Sequence, residues 1–153
     1  ILPDGRVRDD IAVIKGPAYI GRKTIIGNHA LVRQSCIEED SIVGFGSEVA
    51  RSYIGPRCKL HQNFVGDSVL ESDVNPSWGT TFANWRLDNG EIVLKVGETK
   101  IPTGKSKLGA VVAKGTFIGV NCSIIPGVTI GENAKIYPHS IVHRAVQKEE
   151  VIK

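Results

Sequence analysis

The sequence predicts an all-β chain wound as a parallel β-helix of hexapeptide repeats, with one β-hairpin excursion. Aliphatic residues recur every six positions: Ile14, Ile20, Ile26 and Val32 early, then Val112, Ile118, Ile124, Ile130, Ile136 and Val142. A small or β-branched residue follows four positions later, from Ala18, Thr24, Ala30 and Cys36 to Thr116, Cys122, Val128, Ala134, Ser140 and Val146. The period vanishes between Phe82 and Leu108 and then returns. Neither an α-helix nor a two-sided strand repeats every six residues, whereas stacked hexapeptides do. Each hexad supplies one short strand and one turn, and three hexads close a triangular coil of roughly eighteen residues. The aliphatic and the small residue point inward. Gly often follows the aliphatic, as in Ile20-Gly21 and Ile118-Gly119, where the backbone is bent or crowded.

The first ten residues lack the period and read as an entry strand or cap. Coils begin near Ile11 and run to about Val74. The spacing slips to eleven between Val32 and Val43 and to five between Val49 and Ile54, which marks shortened or bulged turns. The pattern resumes at Val65-Gly66 and Leu70. In the excursion, Arg86 to Glu91 reads as a turn and Ile92 to Val96 as a strand. Gly97 to Thr99 turns again, Lys100-Ile101 returns, and Pro102-Thr103-Gly104 ends the hairpin. A long loop on a regular scaffold is where function concentrates. The last coils run from Val111 to Val146, and a polar tail from Gln147 caps the stack. Residues 1–153 therefore read as one domain: entry 1–10, excursion 82–108, tail 147–153. The chain has no Met, which points to a piece of something longer.

Composition narrows the function. A net charge of +3 with interspersed acids argues against a nucleic-acid partner. No apolar run is long enough for a membrane span, and no signal peptide is visible, so a cytoplasmic location is expected. Three Cys is an odd number, against a disulfide framework. Cys36, Cys58 and Cys122 each lie four residues after an aliphatic and read as small core residues. The four His (His29, His61, His139 and His143) are too dispersed for a ligand set, so no structural metal is expected.

The candidate site is the polar, aromatic stretch before the excursion: His61-Gln62-Asn63-Phe64-Val65-Gly66-Asp67, then Val74 to Asn84. A neutral His is the natural proton acceptor for an attacking amine or hydroxyl. From spacing alone His61 reads more readily as a surface turn residue. Asn63, Asn75 and Asn84 serve either as turn residues or as a polar pocket.

The run His61 to Asp67, the pair Val74-Asn75 and the pair Ala83-Asn84 resemble the C-terminal acetyltransferase domain of glucosamine-1-phosphate acetyltransferase/uridylyltransferase. The likeness is greatest to the related bacterial and archaeal sugar-1-phosphate nucleotidyltransferases. Ala30 to Arg33, Lys107 to Ala110 and Ile124 to Val128 extend it over nearly the whole chain. The resemblance implies left-handed coils, an exception to the right-handed crossover rule. It also implies a homotrimer with sites in the clefts between subunits. The reaction implied is acetyl transfer from acetyl-CoA to the amino group of an amino-sugar 1-phosphate. His61 is then the base. Arg33 holds the sugar phosphate through its fork of donors, and Phe64, Asn75, Asn84 and Lys95 line the sugar pocket. Trp78, Val120, Arg144 and Lys148 meet acetyl-CoA.

Several positions depart from that family. Its Tyr falls on Phe64, and its acyl-site Ser falls on Val120. One Lys falls on Ala50, beside Arg51; another falls on Gly90, leaving Lys95 as its substitute. Its Gly-Ala step is Ser77-Trp78. These departures keep a second expectation open, a non-catalytic trimerisation or regulatory module of a nucleotidyltransferase. A third is acyl transfer to a different acceptor, with Trp78 reshaping the pocket.

Overall fold

The computed structural model describes Val7, Arg8 and residues 11–153. Its strands are two to four residues long. All pair in parallel except those of the excursion. Three faces alternate along the chain. The first face carries Ile25–Ile26, Ile42–Val43, Lys59–Leu60, Asn75–Pro76, Phe117–Ile118, Lys135–Ile136 and Val151–Ile152. The second carries Val13–Lys15, Leu31–Arg33, Glu48–Ala50, Phe64–Gly66, Thr81–Phe82, Ser123–Ile124 and Ile141–Val142. The third carries Tyr19–Ile20, Cys36–Ile37, Tyr53–Ile54, Val69–Leu70, Val111–Val112 and Thr129–Ile130. Ile118, Ile124 and Ile130 thus fall on successive faces, and Val112 pairs with Ile130 one coil away. That is the register the eighteen-residue period predicts.

The core is a set of aliphatic ladders. Ile26, Val43 and Leu60 stack on the first face, Val32, Val49, Val65 and Phe82 on the second, and Ile37, Ile54, Leu70 and Val112 on the third. All are fully buried. Full burial of one such side chain stabilises by roughly 1.5–3 kcal/mol. The small inward residue sits two positions before each aliphatic, because strand side chains alternate. At the shortened corners this position holds Ser35, Ser52 and Ser68. Ser35 Oγ accepts from Ser52 N, Ser52 Oγ from Ser68 N, and Ser68 Oγ from Ala110 N, at 3.0–3.1 Å. The step from Val32 to Val43 is therefore five plus six, through Ile37.

That register corrects one expectation. Cys58 and Cys122 are buried in the small-residue columns, but Cys36 is half-exposed. Cys36 stands directly before Ile37, paired with Tyr19 and Tyr53 on the outer side of the third face. The five-residue step gives the inward corner to Ser35 instead.

Pro76 occupies the aliphatic position of the first face and is buried. It has no N–H to give the preceding coil. The first face accordingly divides into two four-stranded sheets, ending at Lys59–Leu60 and restarting at Asn75–Pro76.

The excursion holds the predicted hairpin. Val93–Val96 pairs antiparallel with Thr99–Pro102 across a two-residue turn, with Gly97 at φ +57°. Pro102 ends the return strand, opposite Val93, and so stays within the hairpin. Two contacts dock the hairpin on the coil below. Thr129 Oγ1 donates to the Lys95 carbonyl at 2.5 Å, and a Cβ on Gly127 would meet the Val93 carbonyl oxygen at 2.7 Å. The polar segment after Val146 turns and continues into Val151–Ile152, which pairs with Lys135–Ile136. Residues 147–153 are therefore part of the stack. Of the entry segment, Val7–Arg8 pairs with Ile25–Ile26, and the rest lies outside the described residues.

Candidate active site

The candidate residues fall mainly along the second face and its two corners. Call the corner entering that face the first and the corner leaving it the second. His61 stands on the first corner, exposed, directly after Leu60. Its turn is one residue shorter than those above and below, with Gln62 in the left-handed region at φ +51°. The buried Asn63 side chain closes the turn by accepting from the His61 backbone N–H at 2.5 Å. On the next coil Trp78 reaches up, and its Nε1 donates to Gln62 Oε1 at 2.5 Å. Val120 lies one coil further on, where Asn121 N donates to the Trp78 carbonyl at 2.9 Å. His61, Trp78 and Val120 therefore share one corner.

Phe64 projects outward from the second face between Glu48 and Thr81. Its ring converges with the Asn84 amide over Gly66. A Cβ there would fall 2.6 Å from Asn84 Nδ2 and 2.8 Å from Phe64 Cζ, so any side chain at this position would have to push the amide or the ring aside. On the second corner, Asn84 Nδ2 donates to Asp67 Oδ2, and Arg51 makes a two-pronged ion pair to Asp67 at 2.7 and 2.8 Å. Burial alone would raise the Asp67 carboxyl, but the hydrogen bonds from Arg51 and Asn84 outweigh it and hold it below its ordinary value. Because Nδ2 faces the carboxylate, Asn84 turns its Oδ1 away from Asp67 as an acceptor. Residues 64–66 span about 7–10 Å at strand rise, so the two corners lie within reach of one small molecule.

Arg33 also lies on this face. Its guanidinium is paired with Glu48, at 2.9 and 2.6 Å, rather than presented free. Asn75 is half-buried on the first face beside Phe117, and its Oδ1 is buried with no hydrogen-bond partner.

The remaining candidates are not gathered here. Within one chain Lys95 sits beyond the second corner, exposed, in the docked hairpin. It borders a recess of about 200 Å³ with Arg86, Pro126 and His143, not with His61. Arg144 is paired with Glu150 after the last second-face strand. Lys148 is paired with Glu132 and Glu149 on the corner between the third and first faces. A wider recess of about 520 Å³ opens at the foot of the excursion, walled by Trp85, Leu87, Ile125 and Pro126. It too lies on the second corner rather than beside His61.

Sequence reasoning placed Gln62, Asn63 and Asp67 in the candidate run but not the bonds they make, and it missed Glu48 and the part played by Lys107. The ammonium of Lys107 sits 4.7 Å above the Trp85 ring, pinning the stem of the excursion beside Asn84. The five-residue step from Leu60 to Val65 was the available signal for Asn63.

His61 thus faces solvent on a corner of the hexapeptide coils, with Trp78 of the next coil held beside its turn. The bacterial transferase hexapeptide (six repeats) matches residues 109–144. A bifunctional sugar-1-phosphate nucleotidylyltransferase/acetyltransferase of Sulfurisphaera tokodaii is 39% identical over 127 residues, covering 82% of this chain and 32% of that protein. A bifunctional GlmU protein of Methanococcus vannielii is 34% identical over 129 residues, covering 83% of this chain and 31% of that protein. Among solved structures, perosamine N-acetyltransferase of Caulobacter crescentus, in complex with CoA and GDP-perosamine, superposes with a TM-score of 0.61. It is 18% identical and covers 96% of this chain and 53% of that one. The coils are those of a left-handed β-helix, the architecture of its acyltransferase neighbours. The chain carries the hexapeptide transferase repeat and is homologous to the C-terminal part of the bifunctional nucleotidylyltransferase/acetyltransferases. It spans about a third of the length of those curated relatives.

Proposed function

We propose that the chain transfers acetyl from acetyl-CoA to the amino group of an amino-sugar 1-phosphate, as one part of a sugar-phosphate nucleotidyltransferase. The observation that carries this reading is the exposed His61 on a braced turn at one end of the second-face strand, with Phe64 on that strand and the oriented Asn84 amide at its other end. The amine attacks the thioester carbonyl, a C–N bond forms, and the C–S bond breaks to release CoA. His61 accepts the proton the amine loses. Asn84 Oδ1 accepts from a sugar donor, and Asn75 does the same once its side chain turns its buried, unpartnered oxygen outward. Phe64 supplies an apolar wall. Arg33 takes the phosphate by exchanging Glu48 for it. Trp78 and Val120 flank the acyl chain on the first corner.

In this reading the chain works as a homotrimer with the site between neighbours. Lys95, Arg144 and Lys148 then act on a neighbour's site. Exposed apolar residues, Phe117 and Ile141 on the outer faces and Leu87 in the excursion, support such assembly. Thiol release from acetyl-CoA against a panel of amino-sugar 1-phosphates tests the activity, and sedimentation tests the assembly. Release with at least one acceptor is expected. A silent panel removes the enzymatic reading.

A second reading has its own support. Arg33, Arg144 and Lys148 are all engaged by carboxylates, and Trp78 is tied to Gln62 over the His61 turn. A chain that sediments as a trimer yet releases no thiol is then the trimerisation or regulatory module of a nucleotidyltransferase.

A further inference from the structure

The first corner is built from turns that keep a regular length except one. From Ile26 to Val32, from Val43 to Val49, from Ile118 to Ile124 and from Ile136 to Val142, the inward aliphatics stand six apart. From Leu60 to Val65 the step is five, and the missing residue falls beside His61. Two residues, His61 and the left-handed Gln62, must therefore turn the chain. A turn that short has little of its own to hold its peptide planes.

The Asn63 side chain supplies the missing connections. Asn63 is 2% exposed and occupies the inward small-residue position, where the neighbouring coils have Ser47 and Thr80. Its Oδ1 accepts from the His61 N–H at 2.5 Å, reaching back over its own turn. Its Nδ2 donates to the carbonyls of Ser77 and Thr80 at 2.9 and 3.0 Å, on either side of Trp78. Its backbone N–H donates to Ser47 Oγ at 3.1 Å on the coil above. An oxygen facing an N–H and a nitrogen facing two carbonyls fix which way the amide points. One buried amide thus ties the turn carrying His61 to the turn carrying Trp78. Neither Ser nor Thr at that position spans both.

We propose that Asn63 is the positioning residue of this site, holding His61 in register with Trp78. The proposal rests on the reading of His61 as the base in acyl transfer. Asn63 touches neither substrate nor the imidazole; it acts through the His61 backbone. A base displaced by about 1 Å can lose on the order of a hundredfold in rate. Asn63 then affects turnover more than affinity, and only while His61 is present.

The test uses the full chain and two independent readouts. In Asn63→Ser, which matches the neighbouring Ser47, the His61 amide should exchange its hydrogen about tenfold faster, the worth of one hydrogen bond. The Cys122 amide, bonded to Thr80 Oγ1 in the same column, should not change. Turnover should fall roughly 10- to 100-fold with KM for the acceptor little altered, and Asn63→Ser should cost nothing further in a His61→Ala background. Unchanged exchange at His61, or an equal loss with and without His61, overturns the proposal. If the parent releases no thiol from any acceptor, the acetyl-transfer reading falls, and the exchange measurement alone decides whether Asn63 holds the turn. Asn63→Thr, which matches Thr80, serves if the Ser variant fails to fold. Failure of both to fold makes Asn63 a residue of the fold alone and ends the proposal.

Discussion

The indole of Trp78 is hydrogen-bonded to Gln62, one coil away, at 2.5 Å, although its side chain is 54% exposed. The Gln62 side chain lies against the space above Gly46, 3.6 Å from where a Cβ would stand. Gly46, Gln62 and Trp78 therefore stack over three coils and fix where the indole lies. Substituting Gln62 by Ala leaves no buried orphan, so stability should change by less than about 1 kcal/mol. The indole should nevertheless become more mobile. In a Trp85→Phe background, where Trp78 is the sole reporter, Gln62→Ala should raise acrylamide quenching of its fluorescence. Quenching equal to the parent would mean that Gln62 does not restrain Trp78.

The core prediction concerns Phe82. It is fully buried between Val65 and Ile124, at the last strand before the excursion. Phe82→Ala removes contacts on both neighbouring coils and should cost about 3–5 kcal/mol in chemical denaturation. A loss below about 1 kcal/mol would show that the ladder does not pack continuously past the excursion.

Acid should weaken the second corner. The Asp67 carboxyl is held below its ordinary value by Arg51 and Asn84 against the opposing effect of burial. A depressed carboxyl contributes stability that is fully present above the unfolded value near 4, and loses it as pH falls through the folded value. Asp67→Asn should therefore destabilise by about 1–3 kcal/mol at neutral pH. The parent and variant denaturation midpoints should converge below about pH 4. A difference that persists undiminished in acid would assign the effect to packing rather than charge.

The thiols should separate by position. Burial pushes the Cys58 thiol up to about 11, and also raises Cys122. Both should resist alkylation at pH 8 until the chain unfolds. Cys36, half-exposed on the outer third face, should react in the native protein, though slowed by burial and by the carboxylate of Glu38. Native labelling of Cys58 would contradict the assigned register.

The sequence was most legible where one physical constraint repeats. Inward aliphatics at period six made the three faces and the pairing of Val112 with Ile130 legible, but the eighteen-residue coil shrinks to seventeen between Val32 and Val49 and to sixteen between Val49 and Val65, where corners are shortened. The hairpin was legible because β-branched residues alternate with turn residues there. The small-residue column was misread at Cys36, since counting four forward from an aliphatic fails wherever a corner is shortened. Counting two back from the next aliphatic gives Ser35, Ser52, Ser68 and Asn63 correctly, because a strand alternates in and out whatever the turn before it does. In the site, His61, Phe64 and Asn84 stood out as unusual residue types. Asp67 and Asn63 lay in the same run, but what they do was not legible, because it is done by hydrogen bonds across coils sixteen or seventeen residues apart. The place of Lys95 was illegible for the same reason: where a hairpin docks depends on the coil it meets, here at Gly127 and Thr129.

The central claim is that His61 is the base of an acyl transfer. The direct measurement is the rate of CoA thiol release by the parent and by His61→Ala, at saturating acetyl-CoA and acceptor. His61 is exposed and outside the aliphatic ladder, so the variant should fold as the parent does. Turnover should fall by roughly 10²–10⁴, the worth of a positioned general base. An active parent whose His61→Ala variant keeps its full rate would contradict the account.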